Sequence, residues 1–186
     1  YASEQLGLDP VDYATVRATV GGSVVITMER LIGKELAPAG VRLFREHFAD
    51  IMLEDVTVLA GVEPLLEDLH KNGKRLAVFT NKDGAAARAL CAHLGLDRWL
   101  ECVIGTNDTA YRKPQPEFTA HALSLLNATP EQTLLVGDSP FDEAAAATHG
   151  IACFLVGTGS HTAEQLAEEC PRARVFADFE RMAAEA

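Results

Sequence analysis

Apolar residues recur at helical spacing in the first third of the chain, and beyond it in short runs that alternate with helical stripes. Val24, Thr27, Met28 and Leu31 share one face behind Ser23, a good N-cap, and Val41, Phe44, Phe48 and Ile51 share another. Asp9 and Pro10 open an earlier helix ending at Gly21 and Gly22, and Gly33 separates the two later ones. The run VVIT has strand composition, but its continuation into MERLIG at helical spacing predicts helix. From about residue 56 the pattern changes. A stripe of Val62, Leu65, Leu66 and Leu69 closes at Gly73, followed by a strand over 75–79, a helix to Leu94 and a strand over 102–105. A helix from Pro116, a strand over 133–137, a helix from Pro140 to Gly150, a strand over 151–157, a short helix near 162–169, a strand over 174–177 and a terminal helix complete the alternation. Leu134, Leu135 and Val136 read as a strand buried on both faces. Strand and helix in alternation with short connections predict an α/β fold, a Rossmann-like parallel sheet sandwiched by helices.

In such a sheet, ligands bind beyond the carboxyl ends of the strands, so the polar residues there belong together. TNK follows the first strand, TNDTAYRKPQP the second and DSPFD the third, which collects Thr80, Asn81, Lys113, Asp138 and Asp142 at one edge. Each has a plain structural role available. Thr80 and Asn81 are turn formers, Lys113 is a surface charge, and Asp142 in the first turn of a helix capped by Ser139 is a partner for the helix dipole. Together they suit a phosphate ester with a divalent metal. Thr80 and nearby backbone N–H groups hold phosphate oxygens, Lys113 offsets their charge, Asp138 holds Mg2+, and Asp142, one turn on, supports the metal's water shell.

These segments resemble the haloacid dehalogenase-like hydrolases, and within them the phosphoglycolate phosphatase-like branch. VFTNK is similar to that family's second motif, RKPQPEF to its third around Lys113, and LLVGDSPFD to its fourth, with matching order and spacing over nearly the whole chain. The resemblance implies a helical cap over 1–57 and an α/β core over 58–186. It implies a Mg2+-dependent phosphatase hydrolysing a small phosphorylated metabolite, a phosphoglycolate-like phosphomonoester, through an aspartyl-phosphate. Thr80, Lys113 and Asp138 are then the catalytic residues, Thr80, Asn81 and Lys113 bind substrate, and Asp138 and Asp142 serve the metal.

One family element is missing. The first motif, D-x-D-G-T at the end of a first strand, carries the nucleophilic and acid-base aspartates, and in the family that strand is central, between those ending here at Phe79 and Gly137. Asp9 and Asp12 do not replace it, because no apolar strand precedes them and no glycine turn follows. The chain starts within the cap, so the expectation is that the native protein starts earlier, with apolar residues leading into D-x-D, and that this chain alone is inactive. An open slot between two apolar strands leaves unpaired backbone groups, each costing roughly 1 to 3 kcal/mol when buried.

Composition narrows the partners. A formal net charge of -11 repels phosphate backbones and anionic membrane surfaces, which favours a small molecule over nucleic acid or lipid. No apolar run reaches the roughly 18 residues of a membrane helix and the start lacks signal-peptide character, so the expectation is a cytoplasmic protein. Cys91, Cys102, Cys153 and Cys170 are widely spaced and form no C-x-x-C pair, and Cys102 and Cys153 fall in apolar runs as free thiols. The six histidines are scattered.

Rival chemistries fit less well. GDSPF has Phe141 where a nucleophile elbow needs glycine, and GTG at 157–159 lacks the third glycine of a dinucleotide fingerprint, which leaves a plain loop after a strand. A receiver domain places its aspartate before the threonine and lysine, whereas here Thr80 and Lys113 come first. Within the superfamily, Asp138 and Asp142 favour phosphatase over the metal-free dehalogenases. Two alternatives stay open: a binding or regulatory protein that keeps the fold without turnover, and a phosphosugar mutase.

Overall fold

The computed structural model describes residues 1–20 and 22–185; Gly21, one of the predicted helix punctuation points, lies outside the described residues. The chain divides into two compact units, Tyr1–Val56 and Thr57–Ala186.

The first unit is helical: α1 (Ala2–Gln5), α2 (Tyr13–Thr19) and α3 (Val24–Ile51). The second helix starts later than predicted. Asp12, not Asp9, is its N-cap, because the Asp12 carboxylate accepts from the Thr15 N–H at 2.9 Å and from the Thr15 hydroxyl at 2.6 Å. Ser23 caps α3 as predicted, and VVIT is helical. The two predicted helices of this stretch meet at Gly33, whose φ of 82° and ψ of 157° interrupt the helical backbone. Only glycine takes that conformation without strain. Small residues then let the two segments approach. Ala37 is buried, and a Cβ at Gly40 would overlap the Ile32 side chain. Met28, Ala37 and Val41 form the core of this unit, with Ala2, Val24 and Ile32 around them.

The second unit alternates helix and strand: α4 (Val62–Lys71), β1 (Leu76–Asp83), α5 (Gly84–His93), β2 (Leu100–Thr106), α6 (Pro116–Leu125), β3 (Leu134–Gly137), α7 (Pro140–Ala147), β4 (Ala152–Val156), α8 (Ala163–Glu169), β5 (Arg174–Phe176) and α9 (Phe179–Glu185). All strand pairings are parallel, as the alternation predicts. The strands form two groups, β1–β2 and β3–β4–β5, rather than one sheet. The division falls between β1 and β3, the strands that the resemblance sets on either side of the missing one.

Two strand predictions are corrected. β1 runs on to Asp83 instead of stopping at Phe79, with an irregular register between those two residues, so Thr80 and Asn81 lie within the strand's irregular end. β3 is not buried on both faces. Leu134 is 46% and Val136 40% exposed; among the described residues β3 pairs with β4 alone, and its alternate side chains stay open to solvent. Burial is deepest beside it, where Leu155 of β4 and Leu166 of α8 are fully enclosed with Leu123, Ala146, Ile151, Cys153 and Cys170. Phe118 of α6 is equally buried against Ile104 and Phe79. All four cysteines are free; Cys91, Cys153 and Cys170 are buried, while Cys102, on a strand of the thinner β1–β2 pair, is only partly so. Burial pushes the Cys153 thiol up to about 12, so it stays protonated and inert at neutral pH.

Candidate active site

Lys113 lies in the connection between β2 and α6, where a short turn precedes Pro116 at the first helical position. The Gln115 N–H donates to the Arg112 carbonyl at 2.8 Å, and the Arg112 N–H donates to Gln115 Oε1 at 2.9 Å. Lys113 points inward with only 10% of its side chain exposed. Its Nζ donates to the Phe79 carbonyl of β1 at 2.9 Å and to Asp142 Oδ1 at 2.6 Å, and it sits over the Phe79 ring, 5.2 Å from the centroid. Phe79 is in turn packed on Phe118, with centroids 4.6 Å apart. One ammonium therefore ties Phe79, in the middle of β1, to the first turn of α7.

Asp142 fulfils both roles that the sequence offers it. Its Oδ2 accepts from the Asp138 N–H at 3.2 Å, the Ser139 N–H at 3.1 Å and the Ser139 hydroxyl at 2.6 Å, which satisfies donors at the start of α7. Its Oδ1 holds Lys113. The carboxylate is buried, and a Cβ at Gly137 would overlap it, so the residue ending β3 has to be glycine. A buried ion pair of this kind is sustained by its extra hydrogen bonds, and removing one partner strands a charge.

Asp138 follows β3 directly and is partly buried. Burial and, second, the charge of Asp142 push its carboxyl above the ordinary aspartate range, while Lys113 and His161 act the other way. The loop after β4 presses on it, since a Cβ at Gly159 would overlap the Asp138 carboxylate. The GTG segment is a post-strand loop, as predicted, with a packing role against the site that sequence alone does not reveal.

Asn81 and Lys113 are joined through the lysine's main chain. The Lys113 N–H donates to Asn81 Oδ1 at 2.7 Å, and Asn81 Nδ2 donates to the Lys113 carbonyl at 3.1 Å. Thr80 lies between Phe79 and Asn81, the two residues that hold Lys113, but its own hydroxyl accepts from the Lys82 N–H at 3.1 Å. Asn81, Lys113, Asp138 and Asp142 thus form one connected network, and Thr80 borders it through its neighbours. Two carboxylates face one ammonium there, a balance that favours a further positive charge.

A second network braces the turns beside this one. Arg88 of α5 grips both oxygens of Asp108 at 2.9 Å, and Asp108 Oδ2 accepts the Gly105 N–H at 2.9 Å. The bonds from Arg88 hold the Asp108 carboxyl below its usual range. Asp83 caps α5, accepting from the Ala86 N–H at 3.1 Å and from the Asn107 amide. Neither the Phe79 carbonyl nor the Arg88–Asp108 pair carries a local sequence signal; only the fold brings their partners near. Among the described residues, no cluster of three His, Cys, Asp or Glu side chains makes a ready-made metal site, and no helix is long and apolar enough to cross a membrane.

Comparison with known proteins identifies the family of the chain. The family model for haloacid dehalogenase-like hydrolases matches residues 1–156. The chain is 38% identical over 160 residues to a phosphoglycolate phosphatase of Cupriavidus necator, covering 83% of this chain and 69% of the relative. It is 30% identical over 173 residues to a 5'-nucleotidase of Pseudomonas aeruginosa, covering 92% and 78%. The solved structure of Protein Tyrosine Kinase A from Mycobacterium tuberculosis superposes with a TM-score of 0.83 at 26% identity, covering 98% of this chain and 85% of that one. A kinase name on the same fold is a reminder that the fold alone does not choose the reaction. With its family model and its phosphatase relatives spanning most of its length, the chain belongs to the haloacid dehalogenase-like hydrolase family, in the phosphoglycolate phosphatase-like branch.

Proposed function

We propose that the protein is a phosphatase that hydrolyses a small phosphorylated metabolite, a phosphoglycolate-like phosphomonoester, with Mg2+ and through an aspartyl-phosphate. The observation that carries this reading is the buried Lys113 ammonium, held by the Phe79 carbonyl and Asp142 beside the Asp138 carboxylate. An ammonium fixed in a low-dielectric setting offsets charge on phosphoryl oxygens without reorganising during the reaction. The Thr80 hydroxyl and the N–H groups around Asn81 take the phosphoryl oxygens, and Asp142 keeps Lys113 aimed while ordering the main chain at Asp138 and Ser139.

The residues present fit Mg2+, which uses one or two carboxylates and keeps several waters. Asp138 would hold it, since burial and Asp142 already disfavour its lone negative charge, and Asp142 would support the water shell. When bound, the ion adds positive charge against the transferring phosphoryl group.

The nucleophilic aspartate, in this reading, belongs to a segment preceding Tyr1. In support, β1 pairs only with β2 and β3 only with β4 among the described residues, so each keeps one free edge, and Leu134 and Val136 stay exposed. A strand there would set its last residues beside Lys113 and Asp138. The nucleophile's carboxylate oxygen bonds to phosphorus as the ester P–O bond breaks, and the alcohol leaves with a proton from the second aspartate. Water then attacks phosphorus, the bond to the aspartate breaks, and inorganic phosphate departs. Residues 1–57 serve as the helical cap and 58–186 as the core.

The test is phosphate release by the complete gene product from 2-phosphoglycolate, with nucleoside 5'-monophosphates as the competing substrate class. Release that needs Mg2+ and falls at least about a hundredfold in Asp138→Asn is expected. No release from any phosphomonoester, or unchanged release by the variant, overturns the reading.

A further inference from the structure

Lys113 stands in a connection that has no sheet ladder to fix it, and its charge rides on a flexible four-carbon stem. The ammonium reaches the Phe79 carbonyl and Asp142 together only if its Cα is held in place. The Asn81 side chain does the holding. Its oxygen takes the Lys113 N–H at 2.7 Å and its amide nitrogen gives a hydrogen to the Lys113 carbonyl at 3.1 Å, so a planar amide bridges the lysine's main chain from both sides. Only this orientation of the amide satisfies both contacts. Asn81 is itself anchored, because its own carbonyl accepts from the Thr106 hydroxyl at the end of β2, at 3.2 Å.

An asparagine side chain has one acceptor oxygen and two N–H donors. Lys113 uses the oxygen and one donor, which leaves a single N–H for anything else. The residue type also follows from the clasp. Aspartate lacks the donor, serine and threonine lack a second group at the right reach, and glutamine is one methylene longer. Holding a phosphoryl oxygen asks only for a donor and would not select asparagine.

We infer that Asn81 is a positioning residue for Lys113, its side chain serving the reaction through the lysine's main chain rather than by gripping the phosphoryl group. This rests on the phosphatase reading above and refines it.

The experiment has two readouts on the complete gene product. In the first, hydrogen–deuterium exchange of the Lys113 backbone amide speeds up at least about tenfold in Asn81→Ala, with the melting midpoint checking that the variant is folded. Asn81→Asp, which keeps the acceptor and loses the donor, retains that protection and covers the case in which the alanine variant does not fold. In the second, phosphate release is compared for Asn81→Ala, Lys113→Ala and the double variant. Asn81→Ala slows release about tenfold or more, and in the Lys113→Ala background it adds less than about threefold, because both changes remove one contribution. Losses that multiply in the double variant, or an amide that stays protected in Asn81→Ala, overturn the inference. If the unaltered protein releases no phosphate, the phosphatase reading fails, and the amide exchange still decides whether Asn81 holds Lys113.

Discussion

β3 and β4 are neighbouring strands, both without a polar side chain, yet they are buried very differently. Among the described residues β4 lies between two partners, and Cys153, Leu155 and Val156 are enclosed; β3 has one partner, and Leu134 and Val136 are exposed. β1, also with a single partner, is mostly half-buried. Apolar character marks a strand, but what packs against it sets its burial, since β2 and β5, each with one partner among the described residues, still enclose Ile104 and Phe176. The candidate site gathers around β1 and β3, which are not paired with each other, so its order comes from ties between side chains and main chain more than from a continuous ladder. Lys113 and Asp142 supply the principal tie.

The largest effect is expected where that tie is cut. Asp142→Ala leaves the Lys113 ammonium buried without its carboxylate and uncaps α7, and should lower unfolding free energy in denaturant titration by about 3–5 kcal/mol. A loss below about 1 kcal/mol would mean that the β3 side is held by something else. The two strands themselves give a graded pair. Leu155→Ala, at a site with no exposure, should cost about 2–5 kcal/mol, whereas Leu134→Ala should stay within about 1 kcal/mol. Equal losses would erase the contrast between β4 and β3.

The smallest effect is a pH dependence. The folded protein holds the Asp138 proton more tightly than the unfolded chain, so the folded state binds more protons between the ordinary aspartate pKa and its raised value. In metal-free buffer, Asp138's contribution is most favourable below that window and declines as pH rises through it. Melting temperature of Asp138→Asn relative to the unaltered protein should therefore improve with rising pH across the window. A difference that runs the opposite way would place Asp138 in a charge-stabilising setting.

Much of this was legible beforehand because it is local. The alternation of stripe and run marks every strand, and GDSPFD announces a cap, a proline at the first helical position and an acid in the first turn. The start of α2 was misplaced because Asp9 and Asp12 are both credible caps, and only the Thr15 contacts decide between them. The Asn81–Lys113 clasp and the Arg88–Asp108 grip join residues that are distant in the chain, so no spacing rule reveals them. The exposure of Leu134 and Val136 depends on what packs beside and over β3, which the strand's own residues cannot report.

The central claim, that the Lys113 ammonium serves a phosphoryl group at this rim, is tested most directly by steady-state phosphate release from Lys113→Ala beside the unaltered gene product, both with saturating Mg2+. The account predicts a rate at least about a hundredfold lower with the fold intact by circular dichroism. A rate within about threefold would contradict it and leave Lys113 as a structural tie alone.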